Sequence, residues 1–176
     1  MTPTREQLAA QLQHMKDMGM DRMLADGAST YSLPVAFVMA IASRETNCRN
    51  ILGDFQDHVA HGVGILQIDV QWPLAKRMRD DGTWQTDPQP LINMGCEILR
   101  NNLHDAQQDF SNQSLMQQLQ SAADGYNAGM GREIAHEKSD GGVPDDSITT
   151  GHNYGSDVIA RMAIFSELIN DTPTAA

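Results

Sequence analysis

Hydrophobic residues recur at helical spacing in the first part of the chain. Between Thr4 and about Leu24 the opposite face is polar, and one face carries Leu8, Leu12, Met15, Met18 and Met23. Thr4, with Gln7 three residues later, is a helix-capping pattern, and Gly27 is expected to end the segment. The pattern predicts an amphipathic helix that packs over the core.

A second helix is predicted to begin after Ser32, a favourable N-cap residue, with Pro34 in its first turn. Residues 35–42 are all apolar, which indicates a helix buried on nearly every side. This helix is expected to end between Asn47 and Asn50. Glu45 therefore lies in the last turn of a rigidly held helix.

The rest of the pattern predicts one small β element and further helices. A polar loop beginning at Gly53 leads to residues 62–69, where two glycines and several apolar residues indicate a short hairpin or strand. Tyr126 and Asn127 fall in a glycine-rich turn. Helices are predicted at 73–78, 88–105, 111–123, 131–136 and 154–169, and a surface loop at 138–147.

The length and the cysteine content bound the organisation of the chain. A chain of 176 residues and 19.3 kDa indicates one domain, residues 1–176. Within it, residues 1–28 are expected to form an N-terminal helical extension, 31–169 the core, and 170–176 a frayed tail. Cys48 and Cys96 are expected to be buried free thiols, and a bond between them is left open.

The charge of the chain narrows the classes of partner. A formal net charge of -11 and a pI of about 4.7 argue against nucleic acid and anionic membranes. No apolar run approaches the ~18 residues of a membrane span, and the first twenty residues lack the apolar segment of a signal peptide. Synthesis in a reducing cytoplasm is therefore expected.

Candidate chemistry centres on carboxylates in contrasting surroundings. Glu45 follows an apolar helix, where poor solvation of its charged form raises its pKa and suits a general acid. Asp54, Asp57 and Asp69 lie on polar segments, where a carboxylate stays ionised and can act as a base. Two carboxylates of this kind are the working parts of a glycoside hydrolase.

Three motifs carry a family resemblance. Residues 43–46 (SRET) with 62–69 (GVGILQID), residues 123–129 (ADGYNAG) and residues 149–161 (TTGHNYGSDVIAR) occur in this order. Together they resemble the goose-type lysozyme family, within the superfamily that includes soluble lytic transglycosylases. The resemblance implies a mainly α, α+β lysozyme-like fold, with about seven helices around a buried central helix and a small β-hairpin or sheet beside a cleft.

The resemblance also implies roles for individual residues. Glu45 aligns with the catalytic general acid of the superfamily. Asp69 matches the family's second aspartate, whereas the first does not align cleanly, so we rank Asp57 first, Asp69 second and Asp54 third as the base. The expected substrate contacts are Gln67, Tyr126, Asn127, His61 and Tyr154.

A metal is not expected in this segment. Asp54, Asp57, His58 and His61 have spacings that can converge on an ion. However, no cysteine or third nearby histidine completes a zinc set, and the family uses no cofactor.

The predicted function is that of an inverting peptidoglycan hydrolase (muramidase). It would cleave the β-1,4 bond between N-acetylmuramic acid and N-acetylglucosamine. One alternative is a lytic transglycosylase that uses Glu45 alone and gives anhydro products; hydrolysis is favoured because an attacking water needs a base. A second alternative is a non-catalytic peptidoglycan-binding domain. The expected partners of a monomer are glycan strands and a proteinaceous lysozyme inhibitor, with access to the bacterial cell wall by phage-type release or another secretion route.

Overall fold

Helices make up most of the structure, a computed structural model that describes residues 2–170. This part of the chain has nine α-helices, a 3-10 turn (η1, Asp146–Ile148) and a small sheet, which confirms the mainly α fold class. The helices are α1 Arg5–Asp17, α2 Met20–Thr30, α3 Val35–Thr46, α4 Pro73–Asp81, α5 Thr83–Thr86, α6 Gln89–Asp109, α7 Leu115–Ala128, α8 Met130–Ser139 and α9 Tyr154–Asn170. The number exceeds the predicted seven because the first helix is split and α5 was not predicted.

The segment predicted as one N-terminal helix consists of two helices. The capping box of Thr4 and Gln7 is present at the start of α1, as predicted. Gly19 then adopts a φ of 70°, a left-handed conformation that ends the first helix and begins the second. Gly27 does not end the segment but lies inside α2, where an added Cβ would approach Cys96 Sγ to 3.0 Å.

The central helix α3 is buried as predicted. Every residue from Ala36 to Ser43 is buried, and the C-cap residue after α3 is Asn47, which has a φ of 53°. The start differs from the prediction, because Pro34 occupies the N-cap position and no side chain caps the helix. Ser32, the predicted cap, has a φ of 54° and lies before it.

The sheet has three antiparallel strands in the order β1-β2-β3: Leu52–Gln56, Val59–Val63 and Ile68–Asp69. The prediction of a loop from Gly53 was wrong, since this segment forms β1. Gln56 pairs with Val59, so the turn between β1 and β2 consists of Asp57 and His58, both at positive φ. Residues 64–67 form a turn rather than a strand, and Gly64 has a φ of 81°.

The later helices differ from the predictions mainly in their ends. α6 continues four residues beyond the predicted end and α8 is longer than the predicted turn at 131–136. α7 begins at Leu115, after a capping box formed by Ser114 and Gln117. Tyr126 and Asn127 therefore lie in the last turn of α7 and not in a glycine-rich turn.

One hydrophobic cluster joins the helices to the sheet. It includes Leu8 of α1, Leu24 of α2, Phe37 of α3 and Phe165 of α9, all fully buried. α9 packs against α3 and α7, which places the segment before α9 beside the end of the central helix. The predicted boundaries between an extension and a core stay predictions.

Both thiols are free and buried, as expected. Burial raises the pKa of the Cys48 and Cys96 thiols to about 12, so they are unreactive near neutral pH. No helix between residues 2 and 170 has the length and apolar character to cross a membrane. Of the predicted tail, only Asn170 is described, as the last residue of α9, and 171–176 lie outside the described residues.

Candidate active site

Glu45 lies in the last turn of α3, where the buried helix reaches an open cleft. The helix is held on all sides by the core, so the position of Glu45 is fixed by packing. Glu45 itself is half-buried and lines the cleft. This arrangement agrees with the sequence interpretation of a carboxyl group at the end of an apolar helix.

The protonated form of Glu45 is favoured by its surroundings. Burial raises the pKa of Glu45, and two smaller effects, a hydrogen bond from Tyr154 and the charge of Arg44, lower it in part. The Tyr154 hydroxyl donates to Glu45 Oε1, and its ring is buried. Tyr154 thus holds the carboxyl group from a buried position and does not line the cleft, so the prediction of Tyr154 as a cleft residue that contacts substrate is corrected.

A buried ion-pair network joins the end of α3 to the start of α9. Arg44 Nη1 contacts Asp157 Oδ2 at 3.1 Å, and the Arg44 guanidinium lies 5.4 Å from the centre of the Tyr154 ring. Arg161 contacts the same oxygen of Asp157 at 2.8 Å and donates to Ser43 Oγ at 2.8 Å. The network was not predicted, although Asp157 and Arg161 have the i,i+4 spacing of a helical ion pair.

The cleft has a volume of about 660 Å³ and mostly polar walls. Seven of the nine predicted site residues line it, whereas Asp57 and Tyr154 do not. The lining residues are Glu45, Asp54, His61, Gly62, Gln67, Asp69, Gln71, Tyr126, Asn127, Ala128, Gly129 and Thr150.

The three candidate aspartates occupy different positions on the sheet. Asp69 ends β3, and its Oδ1 accepts a hydrogen bond from the Gln71 backbone N–H at 2.6 Å. Asp54 lies in β1 with a φ of 46° and accepts a longer contact, 3.4 Å, from the Gln56 amide. Asp57 is exposed in the turn between β1 and β2. The structure therefore brings Asp54 and Asp69 into the cleft but not Asp57.

Gln67 uses its amide group inside the protein. Its Nε2 donates to Ile51 O at 3.0 Å and to Gly64 O at 2.8 Å, which ties the turn after β2 to the segment before β1. A Cβ added to Gly62 would lie 2.3 Å from Gln67 Oε1, and one added to Gly53 would lie 2.0 Å from the same oxygen. Both distances are too short for a side chain at either position. These two glycines leave the space that the Gln67 amide fills.

We expect Gly62→Ala to destabilise the protein by displacing the Gln67 amide. The hydrogen bonds of that amide would be lost, at a cost of about 1–3 kcal/mol. Gly131→Ala is the matched control, since no atom lies within 4 Å of its added Cβ in helix α8. Urea unfolding of both variants measures the effect, and equal midpoints would contradict the packing role of Gly62.

Tyr126 and Asn127, at the end of α7, each form a hydrogen bond to another segment that borders the cleft. The Tyr126 hydroxyl donates to Leu66 O at 2.7 Å, beside the turn that carries Gln67. Asn127 Oδ1 accepts from the Thr150 N–H at 2.8 Å, which fixes the segment before α9. Both residues line the cleft, and both also have structural partners.

Comparison with protein families identifies the chain. A family model described as lysozyme g matches residues 6–168, which include every residue lining the cleft. The chain belongs to the lysozyme g family. The family match thus agrees with the resemblance found in the three motifs.

Curated relatives in the lysozyme g family are similar over about three quarters of this chain. The lysozyme g of Gallus gallus is 29% identical over 132 residues, 75% of this chain and 56% of the relative. The lysozyme g of Casuarius casuarius is 29% identical over 133 residues, which are 75% of this chain and 64% of the relative. That of Epinephelus coioides is 29% identical over 137 residues, which are 74% of this chain and 66% of the relative. The chain therefore spans less than two thirds of the length of these lysozyme g relatives.

Three potential metal ligands come together outside the cleft, among residues 2–170. His136, Asp140 and Asp145 bring their ligand atoms within 4.8 Å of one another. His136 Nε2 already contacts Asp145 at 3.3 Å and the Ser147 hydroxyl at 2.6 Å, so these groups satisfy one another. Asp54 and His61, from the segment whose spacing was weighed as a metal site, both line the cleft.

Proposed function

We propose that the protein hydrolyses the β-1,4 bond between N-acetylmuramic acid and N-acetylglucosamine in bacterial peptidoglycan. The observation that carries the proposal is Glu45, a carboxyl group with a raised pKa that lines the same open polar cleft as the Asp54 and Asp69 carboxylates. Membership of the lysozyme g family supports this activity. The cleft volume, about 660 Å³, is of the size that holds a small ligand.

In the proposed reaction Glu45 gives its proton to the glycosidic oxygen as the bond to the anomeric carbon breaks. A water attacks that carbon from the opposite face of the sugar and loses its proton to an aspartate. The product has the inverted anomeric configuration. Tyr154 keeps the Glu45 carboxyl oriented toward the bond during this step.

We propose Asp69 as the base in preference to Asp54. A base that activates water must hold it in one place, and the Asp69 carboxylate is fixed by the Gln71 N–H. Among the described residues, Asp54 accepts just the longer contact from an exposed Gln56 side chain. Asp57, ranked first from the sequence, faces solvent outside the cleft.

Sugar binding is proposed for groups with free hydrogen-bonding capacity at the cleft surface. The imidazole of His61 and the amide of Gln71 are suited to hydroxyl and N-acetyl groups. Asn127 contributes its amide nitrogen, because its oxygen is bound by Thr150. Gln67 shapes this wall of the cleft through its internal hydrogen bonds.

Digestion of purified peptidoglycan by the wild-type protein tests the activity. Mass spectrometry should find reducing muropeptides, and NMR of the first products should find the α-anomer. Products lighter by one water would identify a lytic transglycosylase. Binding to peptidoglycan without release of sugar would identify a non-catalytic domain.

Asparagine variants of the three aspartates test the assignment of the base. We expect Asp69→Asn to lower kcat by about 100-fold, within the range for loss of a general base. Asp54→Asn should lower kcat by less, and Asp57→Asn should stay close to wild type because its side chain lies outside the cleft. Loss of activity at Asp57 and not at Asp69 would overturn the assignment.

A further inference from the structure

A group of acidic residues that the proposed reaction does not use lies behind Tyr154. Asp124 of α7 and Glu133 and Glu137 of α8 are fully buried, and Asp146 of η1 is half-buried. Among the residues that the structure describes, no lysine or arginine forms an ion pair with any of the four. Buried carboxylates without cations are costly, so this group requires a physical explanation.

Asp124 and Asp146 meet at one backbone N–H. The nitrogen of Gly155 lies 2.7 Å from Asp124 Oδ1 and 2.5 Å from Asp146 Oδ1. Gly155 permits this approach, since an added Cβ would lie 2.4 Å from Asp124 Oδ2. Asp146 also accepts from the Ser156 N–H at 3.2 Å, and so caps the first turn of α9.

The second oxygen of Asp124 indicates that a proton is present. Asp124 Oδ2 is buried and has no hydrogen-bond partner among the described residues. Protonation of Asp124 removes the cost of burying a charged group with an unpaired oxygen, and it lets the carboxyl group donate to the adjacent Asp146 carboxylate. Consistent with this, burial and the contact with Asp146 raise the pKa of Asp124 to about 9.

The pair acts on the residue next to Gly155, which is Tyr154. Tyr154 donates to Glu45, and its N–H is 3.3 Å from Thr149 Oγ1, which in turn donates to Asp146 O at 2.7 Å. The two carboxylates therefore hold the backbone directly after Tyr154, at Gly155, and the Asp146 carbonyl holds the Tyr154 N–H through Thr149.

We propose that Asp124 and Asp146 are positioning residues that share one proton and thereby hold Tyr154 against Glu45. This inference rests on the proposed function, in which Glu45 is the general acid. When the shared proton is lost, two adjacent carboxylates repel each other at the start of α9, and the contact of Tyr154 with Glu45 loosens.

Other charged groups face the pair from each neighbouring element. Glu133 of α8 faces Asp124 and is paired with Glu137, which accepts hydrogen bonds from Ser121 and Gln113. On α9, Asp157 is neutralised by Arg44 and Arg161, and beside η1 Asp145 is paired with His136. None of these groups supplies a cation to Asp124 or Asp146, so the shared proton is what balances the pair.

A direct test follows the Gly155 amide by NMR as the pH is raised. In the wild type its chemical shift should titrate above pH 7, reporting loss of the shared proton. In Asp124→Asn the titration should disappear, because an amide keeps the acceptor for Gly155 and donates to Asp146 at any pH. A wild-type Gly155 shift that does not titrate above pH 7 would overturn the shared proton, whether or not the protein cleaves glycans.

A double-mutant cycle separates positioning from a general structural role. Introduced into the wild type, Asp124→Ala should lower kcat by about tenfold. Introduced into the Tyr154→Phe variant, it should lower kcat by less than about twofold, because both changes act through the contact of Tyr154 with Glu45. Asp124→Asn should restore most of the activity, and Glu133→Gln, which does not contact Gly155, should show no coupling to Tyr154→Phe. An Asp124→Ala effect of equal size in both backgrounds would overturn the positioning role.

Two outcomes distinguish this inference from the proposed function. Absence of glycan cleavage by the wild type would reject the proposed function and leave the Gly155 titration as the test of the pair. Should Asp124→Ala fail to fold, Asp146→Ala, at a half-buried position, replaces it in the cycle with the same expected coupling.

Discussion

Replacing Glu45 with Gln should lower the rate of peptidoglycan hydrolysis by roughly two to four orders of magnitude, the range for loss of a general acid. Gln cannot give a proton to the glycosidic oxygen, but its Oε1 still accepts the hydrogen bond from Tyr154. The change therefore removes the chemistry and keeps the geometry. Release of reducing ends from purified peptidoglycan at several pH values measures the effect.

The control for Glu45→Gln is Glu97→Gln, the same change at an exposed position of α6. Glu97→Gln should keep wild-type activity. Because burial raises the pKa of Glu45, folding disfavours its ionised form, and Glu45→Gln should unfold at the same or a higher temperature than the wild type at neutral pH. Retention of more than about a tenth of the activity would contradict the role of Glu45 as general acid.

The raised pKa of Glu45 also sets the direction of the pH dependence. A general acid acts in its protonated form, and that form persists to higher pH when burial raises the pKa. Activity should therefore fall as the pH rises through the pKa of Glu45.

The position of Glu45 was predictable because the signal is local. Eight consecutive apolar residues precede it by two positions, and after the N-cap and proline signals they indicate a helix buried on nearly all sides, which the structure confirms in α3. The two residues that follow the helix, Asn47 and Cys48, both have positive φ. The position of Glu45 at the end of a buried helix could thus be predicted from its neighbours in the sequence.

The sheet was harder to predict because its turn lacks the usual signal. A two-residue hairpin turn with positive φ at both positions favours Asn-Gly or Asp-Gly, and here Asp57-His58 occupies it. Without a glycine the segment was interpreted as a loop. The error mattered for the site, because the strand β1 places Asp54 in the cleft and Asp57 in the exposed turn.

Contacts between distant parts of the chain could not be predicted from spacing. Arg44 and Asp157 are 113 positions apart, and no local pattern indicates that they form an ion pair. The same holds for Asp124 and Asp146, which two different helical segments bring to the Gly155 N–H. Such contacts depend on how α3, α7 and α9 pack, which the periodicity of each helix does not specify.

Replacing Arg161 with Met should destabilise the protein by about 3 kcal/mol, the lower end of the cost of breaking a buried ion pair. Arg161 is 5% exposed, and its loss removes the hydrogen bonds that it donates to buried Asp157 and Ser43. The cost stays at the lower end because Arg44 still pairs with Asp157. Urea unfolding at pH 7 measures the change, with Lys76→Met as control, since the exposed pair of Lys76 and Asp80 contributes less than about 1 kcal/mol.

The effect of Arg161→Met should depend on pH in a defined direction. Burial alone would raise the pKa of Asp157, but hydrogen bonds from Thr2 and Arg161 and the charges of Arg161 and Arg44 lower it below its usual value. Stability from such a carboxylate is present above the usual pKa of Asp and is lost as the pH falls through the lowered pKa. The difference between wild type and variant should therefore shrink in acid. A difference in the free energy of unfolding that stays constant from pH 7 to the acid range would contradict this prediction. Arg161 would then stabilise α9 through its packing and its bond to Ser43, and not through the charge of Asp157.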